Sequence, residues 1–373
     1  GSRGITGLRT IVAAVVEALR GAGAQPYLVP AMGSHGGATA EGQVAILAEY
    51  GITKAALHVP IRAGMEVERV GKTPEGAEVY FSAEALRADG ILIVNRVKPH
   101  TDFSGGIGSG ILKMTVVGLG KRVGAANYHA WAARVGYEQM LRSLARVIVG
   151  RAPILGGIAM VENQRHDTAR IAGLTRDELE PREEALFAEA SRLMPRLPFE
   201  EIDLLVVDRL GKNISGAGMD PNIIGRGVHG SALRGQSQVS PTVRRIFVRD
   251  LTPETHGNAI GIGMADMTTT RLVRAMNPEI TYVNALTSLA LHSVKIPMHC
   301  ATDREAITRS LASLALPDAR QARVVRIADT LSLEQFEASE PCLGIRQDKG
   351  TLTVTGPPEE MRFDGGDNLV PLR

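Results

Sequence analysis

The sequence has little cysteine, few aromatic residues and no excess of charge of one sign. Its two cysteines, Cys300 and Cys342, match neither a zinc-ligand spacing nor a disulfide framework, which favours a reduced, cytoplasmic compartment. Lysine and arginine total 42 against 40 aspartates and glutamates, so the formal net charge is +2. Neutralising nucleic-acid phosphates or an anionic membrane surface requires a basic excess. The balance therefore predicts no nucleic-acid partner and no membrane partner.

Long apolar runs and several common catalytic motifs are also missing. No apolar stretch reaches the ~18 residues of a membrane-spanning helix, and the first residues do not show the basic and apolar regions of a signal peptide. The segment 118–121 lacks the first glycine of a phosphate loop. No G-x-G-x-x-G motif stands at a predicted strand–helix turn with an acidic residue downstream, and there is no H-E-x-x-H, C-x-x-C or G-x-S-x-G motif. These absences disfavour NAD dehydrogenases, P-loop ATPases, zinc proteases and α/β-hydrolases.

What is present predicts an α/β protein. A chain of 373 residues is long enough for two domains, and 44% apolar and 22% charged residues are typical of globular proteins. Short apolar segments run into glycine-rich loops and then into helix-forming segments. We expect two α/β domains, residues 1–197 and 198–373, with mostly parallel sheets and an interdomain cleft. In such sheets, ligands bind at the carboxyl ends of the strands.

Individual elements follow from the same patterns. The segment 174–194 is rich in charge and reads as an exposed helix. Prolines at 195 and 198 then mark the domain boundary. Strands are expected at 26–30, 90–95, 202–208, 245–249 and 280–284, an edge strand at 351–355, and further helices at 11–19, 40–50 and 304–316.

Three histidines in the first domain lie in loop-like surroundings. His35 follows the first predicted strand, His100 follows the second, and His129 comes later. Between the last two, the segment 103–114 contains four glycines and Lys113. Glycine-rich loops present successive backbone N–H groups to anions, and a lysine beside them can bind phosphate or act as a nucleophile. Alternatively, each histidine caps a turn and Lys113 extends to solvent from an apolar segment. The combination predicts a small-molecule site, with or without a metal.

The spacing of these residues resembles the nickel-pincer lactate racemase family. The matching residues are Arg3, Gly33, Ser34, His35, Pro99, His100, Phe103, Ser104, Gly105, Gly106, Lys113 and His129. The chain departs from the family pattern in a longer loop at 107–112, and its segment 211–222 only loosely resembles the substrate-contacting stretch. The resemblance thus implies a divergent relative that acts on a 2-hydroxy acid other than lactate.

The resemblance also implies a cofactor and a mechanism. The family uses a nickel-pincer nucleotide, a pyridinium mononucleotide tethered to a lysine, and by position Lys113 is the tether and His129 the nickel ligand. The reaction is racemisation or epimerisation by reversible hydride transfer from the α-carbon. His35 and His100 then serve as the acid/base groups, one for each stereoisomer.

Other residues follow from the same resemblance. Backbone N–H groups of Ser104, Gly105 and Gly106 are expected to hold the phosphate of the cofactor, and Arg3 is placed at the cofactor site. The candidate cations for the substrate carboxylate are Arg3, Lys98 and Lys212. Cofactor-maturation proteins are the implied partners, and a homo-oligomer is compatible with the sequence.

Two other functions fit the residues without the resemblance. A metal-dependent hydrolase or lyase would use His35, His100 and His129 as direct ligands of zinc or iron. A non-catalytic ligand-binding protein would keep the cleft and lose the chemistry. Lys113 separates them, because only the nickel-pincer enzyme requires a nucleophilic amine at that position.

Overall fold

A computed structural model gives the fold and describes residues 4–100, 105–228, 241–344 and 352–372. The chain divides into two compact units, Gly1–Met194 and Pro195–Arg373. Each unit has its own sheet and its own apolar core. The sequence placed the boundary between residues 197 and 198.

The first unit combines two small sheets with eight α-helices among its described residues. The helices are α1 (Leu8–Gly21), α2 (Ala40–Glu49), α3 (Lys54–Leu57), α4 (Ala83–Leu86), α5 (Ile111–Lys113), α6 (Lys121–Val135), α7 (Tyr137–Arg151) and α8 (Leu179–Leu193). The strands are β1 (Val67–Lys72), β2 (Glu78–Ser82), β3 (Ile91–Arg96), β4 (Ile154–Glu162) and β5 (Thr168–Thr175). Strands β1 and β2 form an antiparallel pair, whereas β4 pairs parallel with β3 and antiparallel with β5.

Strand β4 separates two apolar cores. Successive side chains of a strand point to opposite faces, and Ala159 and Val161 pack with α7 and α8, while Met160 packs with α1 and α2. Helix α7 contributes buried residues at helical spacing, such as Leu141, Leu144 and Ile148. Full burial of such a side chain contributes about 1.5–3 kcal/mol. The three-stranded sheet is therefore covered by helices on both faces.

Two expectations for the first unit were wrong in part. The segment 26–30 makes one parallel bridge, Leu28 to Ile61, and no strand. Its flanking prolines lack an N–H for a sheet ladder. The expected exposed helix exists as α8, but one of its faces is buried at Leu179, Glu183, Leu186 and Ala190. These residues recur at helical spacing, so the charged segment is amphipathic.

The second unit contains a six-stranded sheet in the order β11-β10-β6-β7-β8-β9. The strands are β6 (Glu201–Leu210), β7 (Thr242–Leu251), β8 (Met267–Thr269), β9 (Met298–Cys300), β10 (Val324–Ile327) and β11 (Phe336–Ala338). All neighbours pair parallel except β10 and β11. The helices are α9 (Pro221–Ile224), α10 (Thr270–Ala275), α11 (Pro278–Ser288), α12 (Asp303–Ala312) and α13 (Glu340–Leu343). The mostly parallel α/β fold predicted from the sequence is confirmed here.

The expected strand at 280–284 is wrong, because this segment lies inside α11. The Asn277 side chain accepts a hydrogen bond from the Ile280 N–H at 3.2 Å, and Pro278 occupies the first helical position. This cap and proline start a helix despite the β-branched residues that follow. Residues 352–355 form no strand either. Within the described ranges, no helix is long and apolar enough to cross a membrane.

Candidate functional site

His100 and Lys113 meet just beyond the carboxyl end of β3. The backbones of Lys98 and Ser109 exchange two hydrogen bonds of 2.9 Å, which folds the chain back after the strand. This brings α5 next to His100, and Nζ of Lys113 hydrogen bonds to Nε2 of His100. His100 is buried and Lys113 is half-buried. The structure thus brings together one predicted acid/base residue and the predicted tether.

The surroundings of His100 favour its neutral form. Burial lowers the pKa of His100 well below its usual range, and the positive charges of Lys113, His129 and Lys98 lower it further. A neutral imidazole can accept a proton at physiological pH. His100 therefore has the protonation state that a general base requires.

His35 lies on an exposed turn that rests on the segment after Lys113. Residues Met114–Gly118 are π-helical, a local form often found at functional sites. The Gly33 N–H donates to the Gly118 carbonyl at 3.0 Å. Gly33 has a φ of 58°, and a Cβ there would lie 3.0 Å from the Val117 carbonyl, so a glycine is needed. The turn that carries His35 is thus attached to the segment that directly follows Lys113.

Two buried polar residues that the sequence analysis missed hold the His35 turn. The Gln43 side chain donates to the carbonyls of Gly33 at 3.0 Å and His35 at 3.3 Å. Lys121 donates to the Pro30 carbonyl at 2.8 Å and to Oε1 of Gln43 at 3.4 Å. Neither Gln43 nor Lys121 has exposed surface. Burial lowers the pKa of Lys121 to about 8.

His129 lies on α6, half-buried, with its ring edge-on to the Tyr128 ring at 5.1 Å between centroids. Its positive charge is one of the causes that lower the pKa of His100. Among the described residues, no group of three or more histidine, cysteine, aspartate or glutamate side chains could hold a metal ion. This arrangement counts against a hydrolase or lyase with His35, His100 and His129 as three direct ligands.

The glycine loop is only partly described. The Gly106 N–H donates to the Glu138 carboxylate at 3.0 Å, and Glu138 is paired with Arg142. A Cβ on Gly105 would overlap Glu138. A cofactor phosphate at these N–H groups would have to replace the carboxylate, so their assignment stays a prediction. Arg3 and Ser104 lie outside the described residues.

Lys212 belongs to the second unit. It follows β6, is half-buried, and its amine donates to the Gly216 carbonyl at 2.8 Å. The Lys212 N–H donates to the Thr255 hydroxyl at 3.1 Å. These contacts give the Lys212 loop a defined conformation. Its role as a cation for a substrate carboxylate stays a prediction.

Comparison with known proteins finds a similarity in the part of the chain that carries this site. Residues 2–137 match the model of the lactate racemase N-terminal domain. The matched segment contains His35, Lys98, His100, Lys113 and His129, so the geometry above lies within the part of the chain that is similar to that domain.

Two solved structures are similar to this chain. The lactate racemase apoprotein from Thermoanaerobacterium thermosaccharolyticum superimposes with a TM-score of 0.51 at 13% identity, over 88% of this chain and 83% of that chain. This likeness shows that the two chains share a fold. A protein from Thermotoga maritima has 14% identity and a TM-score of 0.45, over 71% of this chain and 69% of that chain. No curated protein sequence matches.

Proposed function

We propose that the protein is an isomerase, a racemase or epimerase that inverts the α-carbon of a 2-hydroxy acid. The observation that carries this proposal is the contact between the neutral, buried imidazole of His100 and the amine of Lys113. A neutral imidazole can take the proton of a substrate hydroxyl. The match of residues 2–137 to the lactate racemase N-terminal domain supports the same reaction class.

The residues near His100 fit the nickel-pincer nucleotide. This cofactor brings sulfur and carbon donors of its own and requires one amine and one imidazole from the protein. Lys113 provides an amine that contacts the buried His100, and His129 provides an imidazole whose charge lowers the pKa of His100. Imidazole is a suitable ligand for nickel. We assign Lys113 as the tether and His129 as the nickel ligand. When bound, the cofactor supplies a reversible acceptor for the α-hydride.

The other residues act on the substrate itself. His100 removes the hydroxyl proton of one stereoisomer and returns a proton when that isomer re-forms, and His35 does the same for the other stereoisomer. The two isomers place their hydroxyl groups on opposite sides, so each requires its own acid/base group. Lys98 and Lys212 are the candidate cations for the carboxylate. Because hydride transfer leaves a planar 2-keto acid, the returning hydride can reach either face.

The proposal includes where and with what the protein works. Cofactor-maturation proteins would supply the nucleotide, which places the protein in the cytoplasm with them. The two cysteines, Cys300 and Cys342, are free and buried, in keeping with a reduced compartment.

The first test is the state of Lys113. The protein is produced with nickel and the maturation enzymes, and its intact mass and metal content are measured beside a Lys113→Ala variant and a Lys54→Ala control on exposed α3. We expect a mass increase of several hundred daltons and about one nickel per chain in the wild type and the control, and neither in Lys113→Ala. An unmodified wild type, in a preparation that modifies a working lactate racemase, would contradict the cofactor assignment.

The second test follows the α-hydrogen. A panel of 2-hydroxy acids deuterated at the α-carbon is incubated with the loaded protein in ordinary water. We expect stereoinversion of at least one acid with the deuterium retained, because a hydride does not exchange with solvent. Inversion with loss of deuterium to water would indicate proton abstraction instead.

A further inference from the structure

Glu183 on α8 reaches the start of the helix that carries Lys113. Its side chain has no exposed surface, and Oε2 accepts a hydrogen bond from the Leu112 N–H at 2.9 Å. The Ile111 N–H also lowers the pKa of this carboxyl group. The buried carboxyl group of Glu183, on α8, thus caps the first turn of α5.

The residue at the start of α5 makes room for this carboxyl group. Gly110 is the N-cap residue and has no side chain to accept the free N–H groups of the helix. A Cβ at this position would overlap Oε1 of Glu183. The φ of −159° is extended backbone that any residue adopts, so the glycine is required for space. Gly110 and Glu183 are therefore complementary, because Glu183 supplies the cap that Gly110 lacks.

A second side chain holds the same segment from the opposite direction. Asn95, at the end of β3, donates from Nδ2 to the Gly110 carbonyl at 3.1 Å. The first turn of α5 is then fixed between β3 and α8 through its own backbone. Lys113 comes one residue after Leu112, so the position of its backbone, and the direction in which its amine reaches His100, depend on these bonds.

The burial of the Glu183 carboxyl group is energetically unfavourable. Among the described residues, Oε1 of Glu183 is buried without a hydrogen-bond partner. Burial raises the pKa of Glu183 to about 7, although the Leu112 and Ile111 N–H groups and the charge of Arg142 oppose this, while Glu180 adds to it. A buried, half-satisfied carboxyl group destabilises a fold. Such a group is typical of positions where geometry at a functional site matters more than stability.

We propose that Glu183 is a positioning residue, which holds the Leu112 N–H and thereby sets the amine of Lys113 against His100. The importance of that amine rests on the function proposed above. The contact itself does not, because it is made by the Glu183 side chain and the Leu112 backbone alone.

The experiment measures Lys113 in the apoprotein. Amines are labelled briefly with acetic anhydride, and mass spectrometry gives the labelling of Lys113 relative to exposed Lys54 in the same sample. The variants are Glu183→Ala, which removes the cap, and Glu183→Gln, which keeps an acceptor oxygen. Gly110→Ala displaces the carboxyl group from the other side and tests the contact even if Glu183→Ala does not fold. Glu189→Ala is the matched control, because Glu189 lies on α8 and pairs with Arg170.

The expected results separate positioning from a general effect on folding. The relative labelling of Lys113 should rise by about fivefold in Glu183→Ala and Gly110→Ala, the factor that loss of one ordinary hydrogen bond allows. It should stay at the wild-type value in Glu183→Gln and Glu189→Ala. Wild-type labelling in Glu183→Ala or Gly110→Ala, or the same rise in Glu189→Ala, would overturn the proposal.

The outcome is independent of catalysis. A protein that inverts no 2-hydroxy acid, yet shows this labelling pattern, would contradict the proposed function and leave the positioning role intact. If the protein is an active racemase but the labelling of Lys113 is unchanged in Glu183→Ala and Gly110→Ala, the positioning role is wrong and the proposed function stands.

Discussion

The amine of Lys113 and Nε2 of His100 share a hydrogen bond in the interior of the first unit. An imidazole beside a lysine amine is disfavoured in its charged form, and burial adds to this effect. The pair therefore brings a proton acceptor, the His100 imidazole, into contact with an amine. It also makes the two residues electrostatically dependent on each other, which can be measured.

Replacing Lys113 should change the titration of His100. In Lys113→Met the positive charge is gone, so the pKa of His100 should rise towards its ordinary value. It should stay below that value, because burial is the larger cause of the shift. Hydrogen–deuterium exchange at the imidazole C2 position, followed by mass spectrometry across pH, measures this. Lys54→Met, on an exposed helix, is the control, and an unchanged His100 titration in Lys113→Met would contradict the coupling.

Replacing Glu183 should change how stability depends on pH. The folded pKa of about 7 lies above the ordinary 4.5, so the folded state binds the proton more tightly than the unfolded state. Stability is then full below pH 4.5 and is lost as pH rises through 7. The loss amounts to about 3 kcal/mol for a shift of this size.

Glu183→Gln removes this dependence. We expect the variant to gain about 3 kcal/mol over the wild type between acidic and mildly basic pH. The free energy of unfolding in urea can be followed by the fluorescence of Trp131, because the chain has one tryptophan and it lies in the first unit. Glu189→Gln is the control. Parallel stability curves for Glu183→Gln and the wild type would show that the carboxyl group is already ionised at low pH.

Removing the Gln43 side chain should loosen the His35 turn. Gln43→Ala loses both hydrogen bonds to the Gly33 and His35 carbonyls. Each such bond contributes about 1 kcal/mol, so amide exchange in the peptide 33–39 should become roughly tenfold faster or more. Hydrogen exchange with mass spectrometry measures the rate. Glu49→Ala, exposed on the same helix, should leave the turn unchanged, and equal rates in both variants would refute the role of Gln43.

Asp203 should stabilise the second unit in a pH-dependent way. Burial would raise its pKa, but hydrogen bonds and charge from Arg323, with a bond from Arg244, lower it to about 2 from 3.8. The stabilisation is therefore present above pH 3.8 and is lost as pH falls through 2. Its size is about 2 kcal/mol.

The Asp203→Asn variant tests this. Asp203 lies on β6, and its carboxylate accepts hydrogen bonds from Arg323, which directly precedes β10. Hydrogen exchange of β10 should be faster in the variant at pH 7, and the difference in unfolding free energy should vanish near pH 2. Asp318→Asn, in an exposed pair with Arg320, should show no comparable effect. A difference that persists at the lowest pH would mean that packing, and not charge, is responsible.

Local sequence predicted those parts of the fold and site that depend on neighbouring residues. Strands β3, β6 and β7 each contain a short apolar run, and His35 and Lys113 belong to glycine-rich segments. The contact between His100 and Lys113 could not be read from spacing alone. It depends on the chain reversing between Lys98 and Ser109 through backbone hydrogen bonds.

For other parts of the fold and site, the most obvious local pattern led to the wrong prediction. In α11 a capping asparagine and a proline outweigh the β-branched residues that suggested a strand. Glu183 lies among other charged residues, so it looked solvated. Its spacing from Leu179, Leu186 and Ala190 was the available signal, because all four lie on one face of the helix.

The division of the chain after Met194 has an evolutionary consequence. On the proposed function, every group that touches the cofactor or moves a proton belongs to the first unit, while Lys212 comes from the second. Exchange of the second unit by recombination would then alter which acid is accepted and leave the chemical step in place. On the proposed function, new substrates would then arise by exchange of the second unit, without a change in the residues of the first unit that carry the reaction.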